Sequence, residues 1–139
     1  MKILIVEDEA LIAENLGEFL LENGHSYIKS YDILEAEEIL SRDSIDFLIC
    51  DLNMPPIGLE ENLQLLTQTG ALTGYIWFEN YIKINHPYLV QRTLFFSAYL
   101  EYLEFIPIDE IDKDLIKIPK GNFDSNKFEA ILKLINRKS

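Results

Sequence analysis

At 139 residues the chain fits one domain, and its 48% hydrophobic content is enough for a single sizeable core. A formal charge of −12 repels phosphate backbones and anionic lipid surfaces, which disfavours direct nucleic-acid or membrane binding and favours basic partners or cations. One cysteine, Cys50, excludes an internal disulfide and reads as a small buried residue, and no Cys and His cluster has metal-site spacing, which suits a reducing cytoplasmic compartment.

Lys2 to Val6 is a short β-branched and aliphatic run, the pattern of a strand covered on both faces of a parallel sheet. Acidic residues end it. Ala10 to Asn23 follows as a helix, with Ile12, Leu16, Phe19 and Leu20 at helical spacing, Glu14, Glu18 and Glu22 opposite, and Gly24 as a stop. His25 to Tyr31 reads as a weaker second strand, and Ile33 to Ser41 as a second helix with Glu35, Glu37 and Glu38 exposed. Phe47 to Cys50 reads as a buried third strand. This alternation implies a parallel α/β sheet.

Asn53 to Thr73 breaks the rhythm, being too long and polar for a strand-to-helix turn of roughly two to six residues. Within it Leu59 to Thr67 is a candidate short helix, and the segment is either a surface loop or a functional lid. Tyr75 to Ile84 is a better-defined helix, with Ile76, Phe78 and Ile82 for one face and His86-Pro87 as its end. Arg92 to Ser97 and Asp114 to Ile118 are the candidate fourth and fifth strands, and Phe128 to Asn136 closes the chain as an amphipathic helix. No run approaches the roughly 20 apolar residues that cross a bilayer, and the start MKILIVEDE lacks a signal peptide's apolar stretch.

In an open parallel sheet, ligands bind beyond the carboxyl ends of the strands where strand order reverses. Glu7 and Asp8 follow the first strand and Asp51 follows the third, so the three carboxylates converge if those strands are neighbours. Like charges packed closely raise one another's pKa unless a cation neutralises them, and oxygen-only ligands suit a hard ion such as magnesium. A carboxylate beside such an ion can attack a phosphoryl group in line and form an acyl phosphate. Ser97, ending the fourth strand, and Lys120, just past the fifth, supply a hydroxyl and an ammonium for the same phosphoryl group. A nucleotide site would want a glycine- or hydroxyl-rich turn after the first strand, where this chain has Val6-Glu7-Asp8-Glu9.

The pieces MKILIVEDE, IDFLICDLNMPP, LFFSAY and LIKIPKG, followed by a last helix, resemble the receiver domain of two-component response regulators along nearly the whole chain. The resemblance implies one domain over 1–139 with an inserted segment at about 56–73. Its fold is a doubly wound five-stranded parallel sheet of order 2-1-3-4-5 with helices on both faces. It further implies magnesium bound by Glu7, Asp8, Asp51 and the backbone carbonyl of Asn53, and phosphorylation on Asp51 ahead of Met54-Pro55. Ser97-Ala98 matches the family's hydroxyl and small residue, and Lys120 its lysine, with Lys117 of Lys117-Ile118-Pro119 as a rival. Gly74 matches the glycine that opens the third helix. Where that family carries an aromatic switch residue this chain has Lys117, leaving Tyr99 or Tyr102 as substitutes; with Phe105 and Ile108 they make the region aromatic.

The implied function is a cytoplasmic signalling switch that catalyses its own phosphorylation and dephosphorylation. Its donor is a histidine kinase or phosphotransfer protein, and its output an unknown protein target or a homodimer. The rival is a pseudo-receiver, an interaction module that acts without phosphorylation. A metal-dependent phosphatase would want a second acid shortly after the nucleophile, where this chain has Asn53.

Overall fold

The computed structural model describes residues 1–65, 72–97, 116–119 and 125–138. Five parallel strands stand in the order β2-β1-β3-β4-β5: β1 Lys2–Val6, β2 Ser26–Ser30, β3 Phe47–Asp51, β4 Thr93–Ser97 and β5 Ile116–Pro119. That is the expected doubly wound sheet. The reversal of strand order falls between β1 and β3, which pair from Ile3 with Phe47 to Val6 with Cys50, so the ends of these two strands lie side by side.

The two-residue period of the strands assigns their side chains to two cores. Leu4, Val6, Leu48, Cys50 and Phe95 share one cluster with Ile33, Ala36, Ile39 and Leu40 of α2, Ile33–Arg42. Ile3, Ile5, Phe47, Ile49 and Leu94 join Ala13, Leu16 and Leu20 of α1, Ala10–Glu22, and Ile131 and Ile135 of α6, Ser125–Lys138. Both faces of β3 are thereby sealed and all five of its residues are buried.

The turns that feed these helices differ. α2 is capped: Asp32 sits in extended backbone and its side chain accepts the Glu35 N–H at 2.8 Å. α1 starts at Glu9 with no side-chain cap, and the Glu9 N–H is instead bonded to the Glu7 carboxylate at 2.9 Å. Asn23, expected as the last residue of α1, is its C-cap.

The β3-to-β4 crossover holds a single-turn helix α3, Glu61–Gln64, inside the stretch expected to form one. Its approach is packed down on α2. Gly58 has φ +102°, and a Cβ there would lie 3.1 Å from Leu34 Cγ, so only glycine fits both the backbone and the contact. Leu59 is buried and Leu63 packs against the same cluster. The described part of this segment is therefore packed against the core through Gly58, Leu59 and Leu63.

A continuous helical run follows as α4 Thr73–Trp77, a π-helical stretch Phe78–Ile82 and α5 Lys83–Asn85. It ends at His86 as Pro87 dictates. Two features here differ from the sequence reading: the π-helical stretch, and a 3-10 helix at Pro87–Arg92 that makes Thr93 the first residue of β4. Pro at the first turn is the local cause of the second. Strand β5 runs to Pro119 rather than Ile118, while Asp114, expected to start it, lies outside the described residues.

Candidate functional site

The hydrophobic strand β1 ends at Val6, and the next residue, Glu7, is still fully buried, its backbone N–H bonded to the Ser30 carbonyl of the neighbouring strand at 2.9 Å. The chain then turns outward, leaving Asp8 exposed. Asp51 is the last residue of β3 and fully buried. One carboxylate oxygen from each of Glu7, Asp8 and Asp51 lies within 4.8 Å of the others. The convergence expected from strand order is thus present.

Backbone amides aim two of these carboxylates. Glu7 Oε1 accepts the Glu9 N–H at 2.9 Å, and Asp51 Oδ1 accepts the Asn53 N–H at 3.0 Å. Each bond fixes the orientation of its carboxylate. Negative charge collects at this point, and the neighbouring Cys50 registers it: burial pushes its thiol well above the usual range, and the charges of Asp51 and Glu7 push it further. Cys50 is fully buried, in keeping with its reading as a small buried residue.

The donor set fits a hard divalent cation. One oxygen from each of the three carboxylates lies within 4.8 Å of the others, close enough for them to converge on a single ion. Oxygen donors without imidazole or thiolate also match magnesium's preference.

Gly74 packs against the end of β3. Its N–H donates to the Leu52 carbonyl at 3.1 Å, and a Cβ on it would run into the Asp51 carbonyl oxygen and come within 3.1 Å of Cys50 Sγ. Close approach of helix to strand end, not an unusual φ, is what demands glycine here.

The other expected residues are placed in part. Ser97 is the last residue of β4 and pairs with Pro119, one position beyond the pairing of Asp51 with Phe96. Lys117 pairs with Phe95, two residues short of that end. Lys120, Tyr99, Tyr102, Phe105 and Ile108 lie outside the described residues. Asn53 is seen through its N–H, bonded to Asp51 as above. The sequence reading missed the amide bonds of Glu9 and Asn53; the cluster of acids at a strand end was the available signal, since buried carboxylates there need donors.

The family model described as the response regulator receiver domain matches residues 3–75, which includes Glu7, Asp8, Asp51, Asn53 and Gly74. This chain belongs to the response regulator receiver family. The response regulator MprA of Mycobacterium avium (strain 104) is 34% identical over 70 residues, covering 50% of this chain and 31% of that protein. The chain thus spans about a third of the length of that curated relative. A receiver domain protein from Clostridium thermocellum superposes with a TM-score of 0.62 at 22% identity, covering 99% of this chain and 95% of the other. The response regulator TrrA from Thermotoga maritima, solved in complex with Mg(2+)-BeF, gives a TM-score of 0.64 at 22% identity over 96% of this chain and 97% of that one. These structural likenesses establish the receiver fold. Among the described residues, no helix is long and apolar enough to cross a membrane.

Proposed function

We propose that this receiver domain serves two-component signalling by accepting a phosphoryl group on Asp51 in a magnesium-dependent reaction. The observation that carries the reading is the meeting of the Glu7, Asp8 and Asp51 carboxylates at the ends of adjacent strands β1 and β3. The Mg(2+)-BeF complex of a protein of the same fold adds support.

Glu7, Asp8, Asp51 and the carbonyl of Asn53 would hold the metal. When bound, magnesium offsets the charge of the acids and of the transferring phosphoryl oxygens. The chain's own part is positional. The Asn53 N–H holds one oxygen of Asp51, fixing the plane of the carboxylate. An Asp51 oxygen attacks phosphorus, the bond to the donor's leaving group breaks, and an acyl phosphate remains on the side chain. The donor is a histidine kinase or phosphotransfer protein, or a small acyl phosphate. Ser97 at the end of β4 and Lys120, or Lys117 of β5 in its place, supply a hydroxyl and an ammonium for the phosphoryl oxygens. The product biases a two-state surface that binds a protein target or a second copy, in the cytoplasm. The inserted segment at about 56–73 belongs to this domain.

The test is the intact mass of wild type and Asp51→Asn after incubation with acetyl phosphate, with and without magnesium. One phosphoryl group gained by the wild type, only with magnesium and not by Asp51→Asn, is the expected result. Asp8→Asn, at an exposed position, should keep the fold and raise the magnesium concentration needed for labelling by about tenfold or more. Full labelling of Asp51→Asn would overturn the site. A wild type that accepts no phosphoryl group from acetyl phosphate or a kinase favours the phosphorylation-independent interaction module.

A further inference from the structure

A groove of about 330 Å³ opens between α2, the 58–63 segment and the helical run 73–85. Its wall carries the carboxylates of Glu37 and Glu60, the carboxamides of Asn62 and Asn80, and the rings of Trp77 and Tyr81. Among the described residues no lysine or arginine lines it. Its volume is at the small end of the roughly 300–1,000 Å³ typical of pockets that hold small molecules.

Glu37 is the centre of the groove's chemistry. It is half-buried, and its Oε1 accepts the indole N–H of Trp77 at 3.2 Å, which holds the carboxylate against the wall. Among the described residues no ammonium or guanidinium pairs with it. Burial pushes the Glu37 carboxyl up, the Trp77 bond pulling it part of the way back, and burial with the charge of Glu37 raises the Tyr81 phenol. The rings of Trp77 and Tyr81 stack at 5.8 Å between centroids and 9° between planes. Asn80 and Tyr81 both come from the π-helical stretch, an interruption of regular helix that often marks a functional position.

A carboxylate partly out of water, fixed by a donor, without a cationic partner and beside stacked aromatic rings, is the arrangement that recognises an organic cation. We propose that this groove binds a small amine or guanidine with an apolar or aromatic body, its charge against Glu37 and its body along Tyr81 and Leu59. The site does not depend on Asp51 being phosphorylated, so it stands or falls apart from the proposed phosphoryl transfer.

The chain has one tryptophan, so its emission reports the Trp77 wall directly. The full chain is titrated at neutral pH with phenethylamine, agmatine and the uncharged analogue phenethyl alcohol, followed by tryptophan emission and by calorimetry. At least one cation is expected to saturate, with the alcohol binding about tenfold or more weakly, because a charged hydrogen bond is what separates them. Glu37→Gln keeps the shape and should lower the cation's affinity about tenfold or more while leaving the alcohol's unchanged. Asn62→Phe, on an exposed residue of the groove, should block the cation with circular dichroism and thermal unfolding as in wild type. A capped Phe-Arg dipeptide separates the sources: tighter binding than agmatine assigns the cation to a partner's side chain, and weaker binding to a free small molecule. Equal affinity for amine and alcohol, an unchanged affinity in Glu37→Gln, or no saturation by either cation overturns the proposal.

Discussion

From β1 to β3 the elements are regular and the connections short, and each functional carboxylate stands at a strand end. The crossover from β3 to β4 uses a one-turn helix, a π-helical stretch and a 3-10 helix to cover the same sheet. The first region contributes all three carboxylates of the acidic site; the second contributes Gly74, which packs on Asp51, and most of the wall of the groove. The receiver family's match runs from residue 3 to 75, so it contains the first region and stops within α4. The three carboxylates lie within the matched residues, while Trp77, Asn80, Tyr81 and Ile84 of the groove lie beyond them.

The contrast is sharpest if the two regions still fold as one cooperative unit. Phe47 in β3 and Phe78 in the π-helical stretch are both fully buried, on opposite faces of the sheet. Truncation of either to alanine should cost about 3–5 kcal/mol in urea unfolding, since each leaves an aromatic-sized cavity in close packing. Phe78 also meets the Phe95 ring edge-on at 5.2 Å, which ties the crossover to β4. A Phe78→Ala cost below about 1 kcal/mol would break the picture of one cooperative unit, making the crossover a separately melting one.

A smaller effect is expected where the irregular region touches the site. Gly74→Ala puts a methyl group into the Asp51 carbonyl, a backbone atom that cannot swing aside. The helix must lift from the end of β3, at a cost of about 1–3 kcal/mol for overpacking. Because the same shift disturbs the plane of Asp51, magnesium affinity should fall along with stability in a titration followed by tryptophan emission. Wild-type stability and affinity in Gly74→Ala would show that the crossover does not constrain the acidic site.

The same division explains what could be read in the residues alone. A fully covered parallel strand must be an apolar run, so Lys2–Val6 and Phe47–Asp51 are legible, and a strand that ends in acids marks a site by charge. Gly74 was legible through the family's pattern, and the structure supplies its reason in the carbonyl it faces. The groove was not. Glu37 lies among Glu35 and Glu38, a spacing that reads as a solvated helix face, yet both Glu35 and Glu37 are half-buried. Its partner is 40 residues away, a pairing that no local period encodes. The π-helical stretch has no sequence signature comparable to the proline that opens the 3-10 helix.

The smallest predicted effect tests that hidden pairing through pH. Burial raises the Glu37 carboxyl above its unfolded value of 4.5, the Trp77 bond only partly offsetting it. A raised pKa means that the folded chain holds this proton more tightly than the unfolded one. The stability it contributes is therefore full below about 4.5 and is lost as pH rises through the folded value. Glu37→Gln stays neutral throughout and keeps an oxygen for the indole N–H. Its melting temperature should thus gain on wild type as pH rises from 4 towards 7, by a small margin because the carboxylate is partly exposed and screened. Asp43, held below its usual range by Lys2 and Arg42, moves stability in the opposite direction, but equally in both proteins, so the difference isolates Glu37. A difference that shrinks with rising pH would mean that the ionised carboxylate is already compensated in the folded chain, and the groove would lose its reason to take a cation.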